Sequence, residues 1–238
     1  MANQNGQFFT EGDVVARENS AFMTRVYQWM SIGVLITGFV ATYIGTNETL
    51  IQTIMLNRVL FWGIIIAQFG LVLSITGLIN RMSVLTATSL FLLYSALTGV
   101  TFSVIFAIYT TASIQSAFFT TAIGFGGLTA FGYMTKKDLG PVGSFCMMGL
   151  FGMIGFSLLS MFFPSMMGGA AGLAYSLIGL LVFAGLTAYD TQKIKMIGRQ
   201  SYSEEDRGRA TILGALTLYL DFINLFMMIL RLSGDRRR

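Results

Sequence analysis

The sequence contains no histidine. That absence removes imidazole general acid–base catalysis, every histidine-based triad and the commonest zinc and haem ligand sets. A single cysteine, Cys146, cannot close an intrachain disulfide, and its apolar setting marks it as a small packing residue. Only two prolines, Pro141 and Pro164, are present to interrupt long helices. Charge is also scarce. Asp, Glu, Lys and Arg make up 11% of the 238 residues, whereas a soluble domain carries about 25%. So little polar surface cannot cover an apolar core in water.

What is present is hydrophobic: 54% of the chain, with 27 Gly, 21 Phe and a mean hydropathy of +0.70. Low-complexity, disordered and collagen-like classes are excluded. The composition is that of a polytopic membrane protein with one compact domain. A net charge of +4 then reads as basic loops and not as a nucleic-acid surface.

Residues 1–25 are polar and of mixed charge, with no basic start or cleavage site of a signal peptide. They read as a cytoplasmic tail ending in a short surface helix. Seven apolar runs follow: Val26–Thr46, Val59–Asn80, Met82–Tyr109, Ala112–Thr135, Val142–Phe163, Ala170–Tyr189 and Ala210–Leu230. Each suits a helix that crosses about 30 Å of hydrocarbon. The runs are continuous and not alternating, which argues against a β-barrel. The third run is long, so a tilt or kink is expected. The sixth is expected to continue as an amphipathic helix to about residue 197. Domain 26–232 is thus an all-α seven-span bundle, followed by a basic tail at 233–238. Segment 198–209, rich in Glu204, Glu205, Asp206 and Arg, reads as the only substantial loop, polar enough to be mobile. Asn47-Glu48-Thr49 matches a glycosylation sequon, a pattern short enough to occur by chance.

Basic residues set the orientation. Arg17, Arg25, Arg81, Lys136, Lys137 and the basic residues between spans six and seven fall on one side. Arg58, Arg231 and Arg236 to Arg238 fall on the other. The N-terminus is therefore expected in the cytoplasm and the C-terminus outside. The arginine tail opposes that assignment, and six spans with a re-entrant last segment is the competing topology. Small residues at four-residue spacing, Ser95/Gly99/Ser103, Ala122/Gly126/Ala130 and Gly168/Gly172, predict close helix packing. Gly124-Phe-Gly-Gly127 follows no strand, so packing outweighs a nucleotide loop.

Charges within the spans carry the functional signal. Asp221 lies midway along the seventh run and Asp190 at the inner end of the sixth. An intramembrane Asp is costly unless it is paired, protonated or wet. Gly214, Thr217, Asp221, Asn224, Met228 and Arg231 recur at offsets of three and four, on one helix face. That face is expected to line an interior path, with Thr217 and Asn224 beside it. The alternative is that both only hydrogen-bond within the bundle. Asp190 and Asp221 fall at similar depth on consecutive antiparallel helices, so contact is possible. In contact they would share a proton and titrate as a pair. Once deprotonated they would need a cation, either Ca²⁺ with its preference for hard oxygens or a basic side chain. Arg81, at the hairpin between spans two and three, is the nearest candidate latch, with an interfacial anchor as its alternative role.

Gly185-Leu-Thr-Ala-Tyr-Asp-Thr-Gln-Lys-Ile-Lys195 and Ala215-Leu-Thr-Leu-Tyr-Leu-Asp-Phe-Ile-Asn-Leu-Phe226 resemble the last two helices of the Bax inhibitor-1 family. Ser95 to Ser103 and Gly127 to Leu139 resemble further family segments, and the resemblance runs from about Arg25 to Leu232. It implies seven helices with the last at the centre, in a bacterial inner membrane. It also implies a pH-sensitive Ca²⁺ leak sensed by the paired aspartates, here Asp190 and Asp221, with an arginine latch where Arg81 stands. It allows a second role as a non-conducting regulator of a membrane-bound AAA protease. Beyond Ca²⁺ as permeating or bound ion no cofactor is expected, and no enzymatic activity. An Asp in each of the last two spans also resembles intramembrane aspartyl proteases. Their signature needs Gly-x-Gly-Asp, and here Leu218-Tyr219-Leu220 precedes Asp221. Their Pro-Ala-Leu segment is missing too.

Overall fold

A computed structural model describes residues 11–200 and 203–237. Among these residues there are nine α-helices and no sheet: α1 Glu11–Gly45, α2 Glu48–Leu56, α3 Arg58–Leu78, α4 Val84–Phe102, α5 Ile105–Ile108, α6 Thr111–Met134, α7 Gly140–Phe162, α8 Gly169–Gln200 and α9 Glu204–Ser233. Seven stretches are long and apolar enough to cross a membrane: Arg17–Gly45, Arg58–Arg81, Val84–Ile108, Thr111–Met134, Gly140–Phe162, Gly169–Gln200 and Glu204–Ser233. The all-α, seven-span architecture expected from the apolar runs is therefore present.

Local chemistry sets the boundaries. Asn57, Ser83, Thr110 and Ser203 precede α3, α4, α6 and α9, and each side chain accepts a backbone N–H of the first turn. Such caps satisfy donors that a helix start leaves without partners. The expected kink in the third span is a break between α4 and α5. There Ser103 Oγ donates to the Val100 carbonyl at 2.7 Å, competing with the helical ladder.

Three expectations about helix limits are corrected. Residues from Glu11 onward form the start of α1 and not a separate tail. Asn19, Phe22 and Met23 are buried against the bundle, so this end of α1 is held by packing. Residues 1–10 of the expected tail lie outside the described residues. The expected mobile loop at 198–209 is mostly helix, because α8 runs to Gln200 and α9 starts at Glu204 on its Ser203 cap. The expected loop residues 201 and 202, and Arg238 of the basic tail, lie outside the described residues. Finally, the connection after the first span contains α2, which was not foreseen. Asn47, the sequon residue, caps it by accepting the Leu50 N–H at 3.1 Å.

The helices are not equally buried. In the most apolar window of α9, 67% of residues are buried, against 6% in the second span. α9 packs against α1, α4, α6 and α8. Two glycines let one helix approach the backbone of another. A Cβ on Gly99 would stand 2.8 Å from the Thr37 carbonyl, so α1 and α4 meet backbone to side chain. A Cβ on Gly132 would overlap the Ala188 carbonyl, so α6 and α8 touch backbone to backbone. The Ser95/Gly99 spacing therefore marks a packed face, as expected. The Ala122/Gly126/Ala130 spacing does not. All three residues are exposed, and a Cβ on Gly126 would meet nothing within 4 Å.

Candidate functional site

The site sits between α8 and α9, which pack against each other. Gly214 of α9 faces Ile194 of α8, and Gly179 of α8 faces Met228 of α9. Between these two points the antiparallel register brings Asp190 and Asp221 together. Their carboxyl groups are close enough to act on one another. A hydrogen bond between two carboxyl groups requires a proton between them. Asp221 is 5% exposed, and its Oδ2 has no hydrogen-bond partner. Asp190 is half-buried. The surroundings are apolar or self-satisfied. Thr187 and Thr191 flank Asp190 and are fully buried, but each donates to a carbonyl one turn back on α8. Phe222 follows Asp221 and packs edge-on against Phe118 and Phe125 of α6.

The other expected residues are placed as follows. Thr217 and Asn224 lie one turn on either side of Asp221, both half-buried. Thr217 Oγ1 donates to the Leu213 carbonyl at 3.0 Å, and Asn224 Nδ2 donates to the Leu220 carbonyl at 2.9 Å. Both bond within their own helix, which leaves their oxygens as acceptors. Arg81 ends the 3₁₀ turn Ile79–Arg81, is exposed, and makes no ion pair among the described residues. The structure does not bring it to the aspartates. The cation whose field reaches Asp190 is Lys193, one turn along α8. The basic residue that holds the hairpin is Arg209, whose Nε donates to the Met82 carbonyl at 2.7 Å. On the same side, Arg207 pairs with Glu18 at 3.0 Å and joins α9 to α1.

Two groups near the site were not singled out from the sequence. Tyr219 is fully buried, and its hydroxyl lies 2.6 Å from Thr37 Oγ1. Tyr27 of α1 stands against Thr129 of α6 and Thr191 of α8, where three helices meet beside Asp190. Tyr219 falls inside the seventh-run motif, but nothing in a sequence announces its partner on α1.

The arrangement can hold one proton between two carboxyls, or offer two adjacent carboxylates to a cation. Among the described residues no cluster of three or more Asp, Glu, Cys or His side chains could hold a resident metal.

Comparison with known proteins agrees with this architecture. A family model described as "Inhibitor of apoptosis-promoting Bax1" matches residues 19–238. An inner membrane protein, YbhL, of Escherichia coli strain K12 is 46% identical over 218 residues, covering 91% of this chain and 92% of the relative. A protein of Borreliella burgdorferi is 46% identical over 219 residues, with 91% and 92% covered. The YrjE protein of Lactococcus lactis is 34% identical over 220 residues, with 90% and 91% covered. The match spans the aspartate-bearing helices and nearly everything before them, and the chain belongs to the Bax inhibitor-1 family.

Proposed function

We propose that this protein is a passive, pH-sensitive Ca²⁺ leak of the bacterial inner membrane, with Asp190 and Asp221 as its proton sensor. One observation carries the reading: two carboxyls meet inside an apolar helical bundle, and Asp221 keeps a buried oxygen that has no partner. A structural Asp in such a place is expected to be fully satisfied. Gain or loss of the shared proton changes the charge of the pair where charge is poorly tolerated. That change alters how α8 and α9 meet. A divalent ion with hard oxygen preference matches two carboxylates in charge and chemistry, so Ca²⁺ is the permeating species.

Thr217 and Asn224 extend the path along α9, where their acceptor oxygens suit a cation. A latch by Arg81 belongs to a second conformation, in which the hairpin after α3 moves toward the pair. The E. coli relative is described as an inner membrane protein, which supports that location here. The distribution of basic residues supports a cytoplasmic N-terminus and an external C-terminus.

The test is Ca²⁺ entry into dye-loaded proteoliposomes at acidic, neutral and alkaline pH, for the natural protein, Asp190→Asn and Asp221→Asn. Flux that follows pH in the natural protein and not in either variant is the expected result. No flux above empty liposomes from folded protein would overturn the leak. Co-purification of a membrane protease, unchanged in Asp221→Asn, would then favour the regulatory role.

A further inference from the structure

A cavity lined by neither aspartate extends from Phe222 toward the end of the bundle that carries the C-terminus. It has a volume of about 470 Å³ and sits between α1, the α4–α5 break, α6 and α9. Its inner wall is apolar, formed by Phe102, Phe106, Ile114, Phe118, Phe222 and Phe226. α1 packs on α4, α8 and α9, and α6 packs on α8 and α9. The cavity occupies the lateral gap between α1 and α6. Its rim consists of Gly38 and Thr42 on α1 and of Gln115 and Phe119 on α6, all exposed toward the membrane. A cavity with such walls stays dry and takes an apolar guest. Its volume falls in the range of small-molecule sites. On α6 it extends from Thr111 to Phe119, about 12 Å at 1.5 Å per residue, which is close to the depth of one leaflet.

A charged segment is fastened beside one end of this cavity. The C-terminal segment is fastened to the turn between α5 and α6, next to Thr111. The Thr110 N–H donates to the Asp235 carbonyl at 3.1 Å, and the Arg237 N–H donates to the Ile108 carbonyl at 2.9 Å. The Asp235 N–H donates to Ser113 Oγ at 2.9 Å, and Arg236 bridges Tyr109. Asp235, Arg236 and Arg237 are thereby held next to Thr111 of the lining; all three are exposed, and none is in an ion pair among the described residues. Guanidinium groups are suited to phosphate. Thr42, Thr111 and Gln115 add hydroxyl and amide groups to the lining.

We infer that this cavity binds an anionic phospholipid, with one acyl chain between α1 and α6 and its phosphate on Arg236 and Arg237. Exposed arginines next to Thr111, polar lining groups and an apolar chamber match a lipid's phosphate, ester and chain. The site uses neither aspartate as a ligand, and lipid binding there does not require that the protein conduct ions.

Native mass spectrometry of the full chain, titrated with phosphatidylglycerol or phosphatidylcholine, tests this directly. One lipid is expected per chain, with phosphatidylglycerol favoured about tenfold, because each basic residue near the interface attracts anionic lipid. Arg236→Gln with Arg237→Gln should remove that preference and leave chain binding. Gly38→Phe should abolish retention of both lipids, since a side chain there grows into open space and not into a neighbour. Gln115→Trp repeats the block from the opposite rim, so misfolding of one variant does not decide the outcome. Equal affinity for the two lipids, a preference that survives loss of both arginines, or retention unchanged in both blocked variants would overturn the inference.

Discussion

The Tyr219 hydroxyl donates to Thr37 Oγ1 at 2.6 Å, because Thr37 commits its own hydrogen to the Ser95 carbonyl at 2.8 Å. One relay thus joins α9, α1 and α4 in the bundle interior. The Tyr219 ring also meets Phe91 and Tyr94 edge-on, with centroids 5.7 and 5.8 Å away. Tyr219 stands two residues before Asp221, so it fixes the rotation of α9 that turns Asp221 toward α8.

Tyr219→Phe removes only the hydroxyl. Thr37 keeps Ser95, and both ring contacts remain. The expected loss of stability is about 1 kcal/mol, the net value of one buried hydrogen bond. Tyr219→Ala should cost about 3–5 kcal/mol, because a large core side chain leaves a cavity. Denaturation of the purified protein in detergent checks both. A Phe variant as stable as the natural protein would show that the relay does not hold α9.

Asp221→Leu and Asp221→Asn separate charge from shape. Asn keeps an acceptor and adds a donor facing Asp190, so the pair can stay bonded without a mobile proton. Leu removes the bond and leaves Asp190 facing an apolar wall. Asn is therefore expected to keep a folded bundle whose flux no longer follows pH. Leu is expected to destabilise the α8–α9 contact as well, by about 1–3 kcal/mol for an orphaned polar group. Melting and flux measured on the same preparations check this. Equal pH profiles in Asn and natural protein would exclude Asp221 as sensor.

Much of this was legible in the chain. Seven long apolar runs leave few folds open in a membrane, because every backbone polar group must be satisfied internally. Two aspartates in such runs stand out for the same energetic reason. Helix ends were less legible. The sequence 198–209 is polar, but Ser203 caps a helix whose first turn carries Glu204, Glu205 and Asp206, so polarity there reflects helix starting chemistry and not a loop. Partners across helices were not legible at all. Periodicity places Tyr219 on α9 but cannot bring Thr37 to it from 182 positions away. The same limit explains the small-residue spacings: Gly99 and Gly126 look alike in sequence, and only one meets another helix.

That difference is measurable. Gly132→Leu drives a side chain into the Ala188 carbonyl, which cannot move without shifting α8. Overpacking of this kind costs about 1–3 kcal/mol or more. Gly126→Leu, six residues earlier on the same helix, meets open space, and Leu also favours helix over Gly. The expected result is poor recovery of monodisperse Gly132→Leu and normal recovery of Gly126→Leu. Equal recovery of the two would mean that α6 and α8 do not approach as described.

Arg209 and Arg81 make the opposite pair, alike in charge and different in contacts. Arg209 is half-buried, donates to the Met82 carbonyl at 2.7 Å, and pairs with Glu205 at 2.5 Å and Asp206 at 3.5 Å. The two acidic partners are exposed, so solvent screens those pairs and they contribute little. The bond to Met82 is different in kind, because it ties the start of α9 to the hairpin before α4. Arg209→Gln should cost about 1 kcal/mol and loosen residues 79–84. Arg81→Gln alters an exposed side chain with no ion pair, so its effect on stability should stay within about 0.5 kcal/mol. Amide hydrogen exchange across the hairpin distinguishes them: faster exchange in Arg209→Gln alone is expected. Faster exchange in Arg81→Gln instead would make Arg81 the residue that holds the hairpin, and would return it to the role of latch in the resting state.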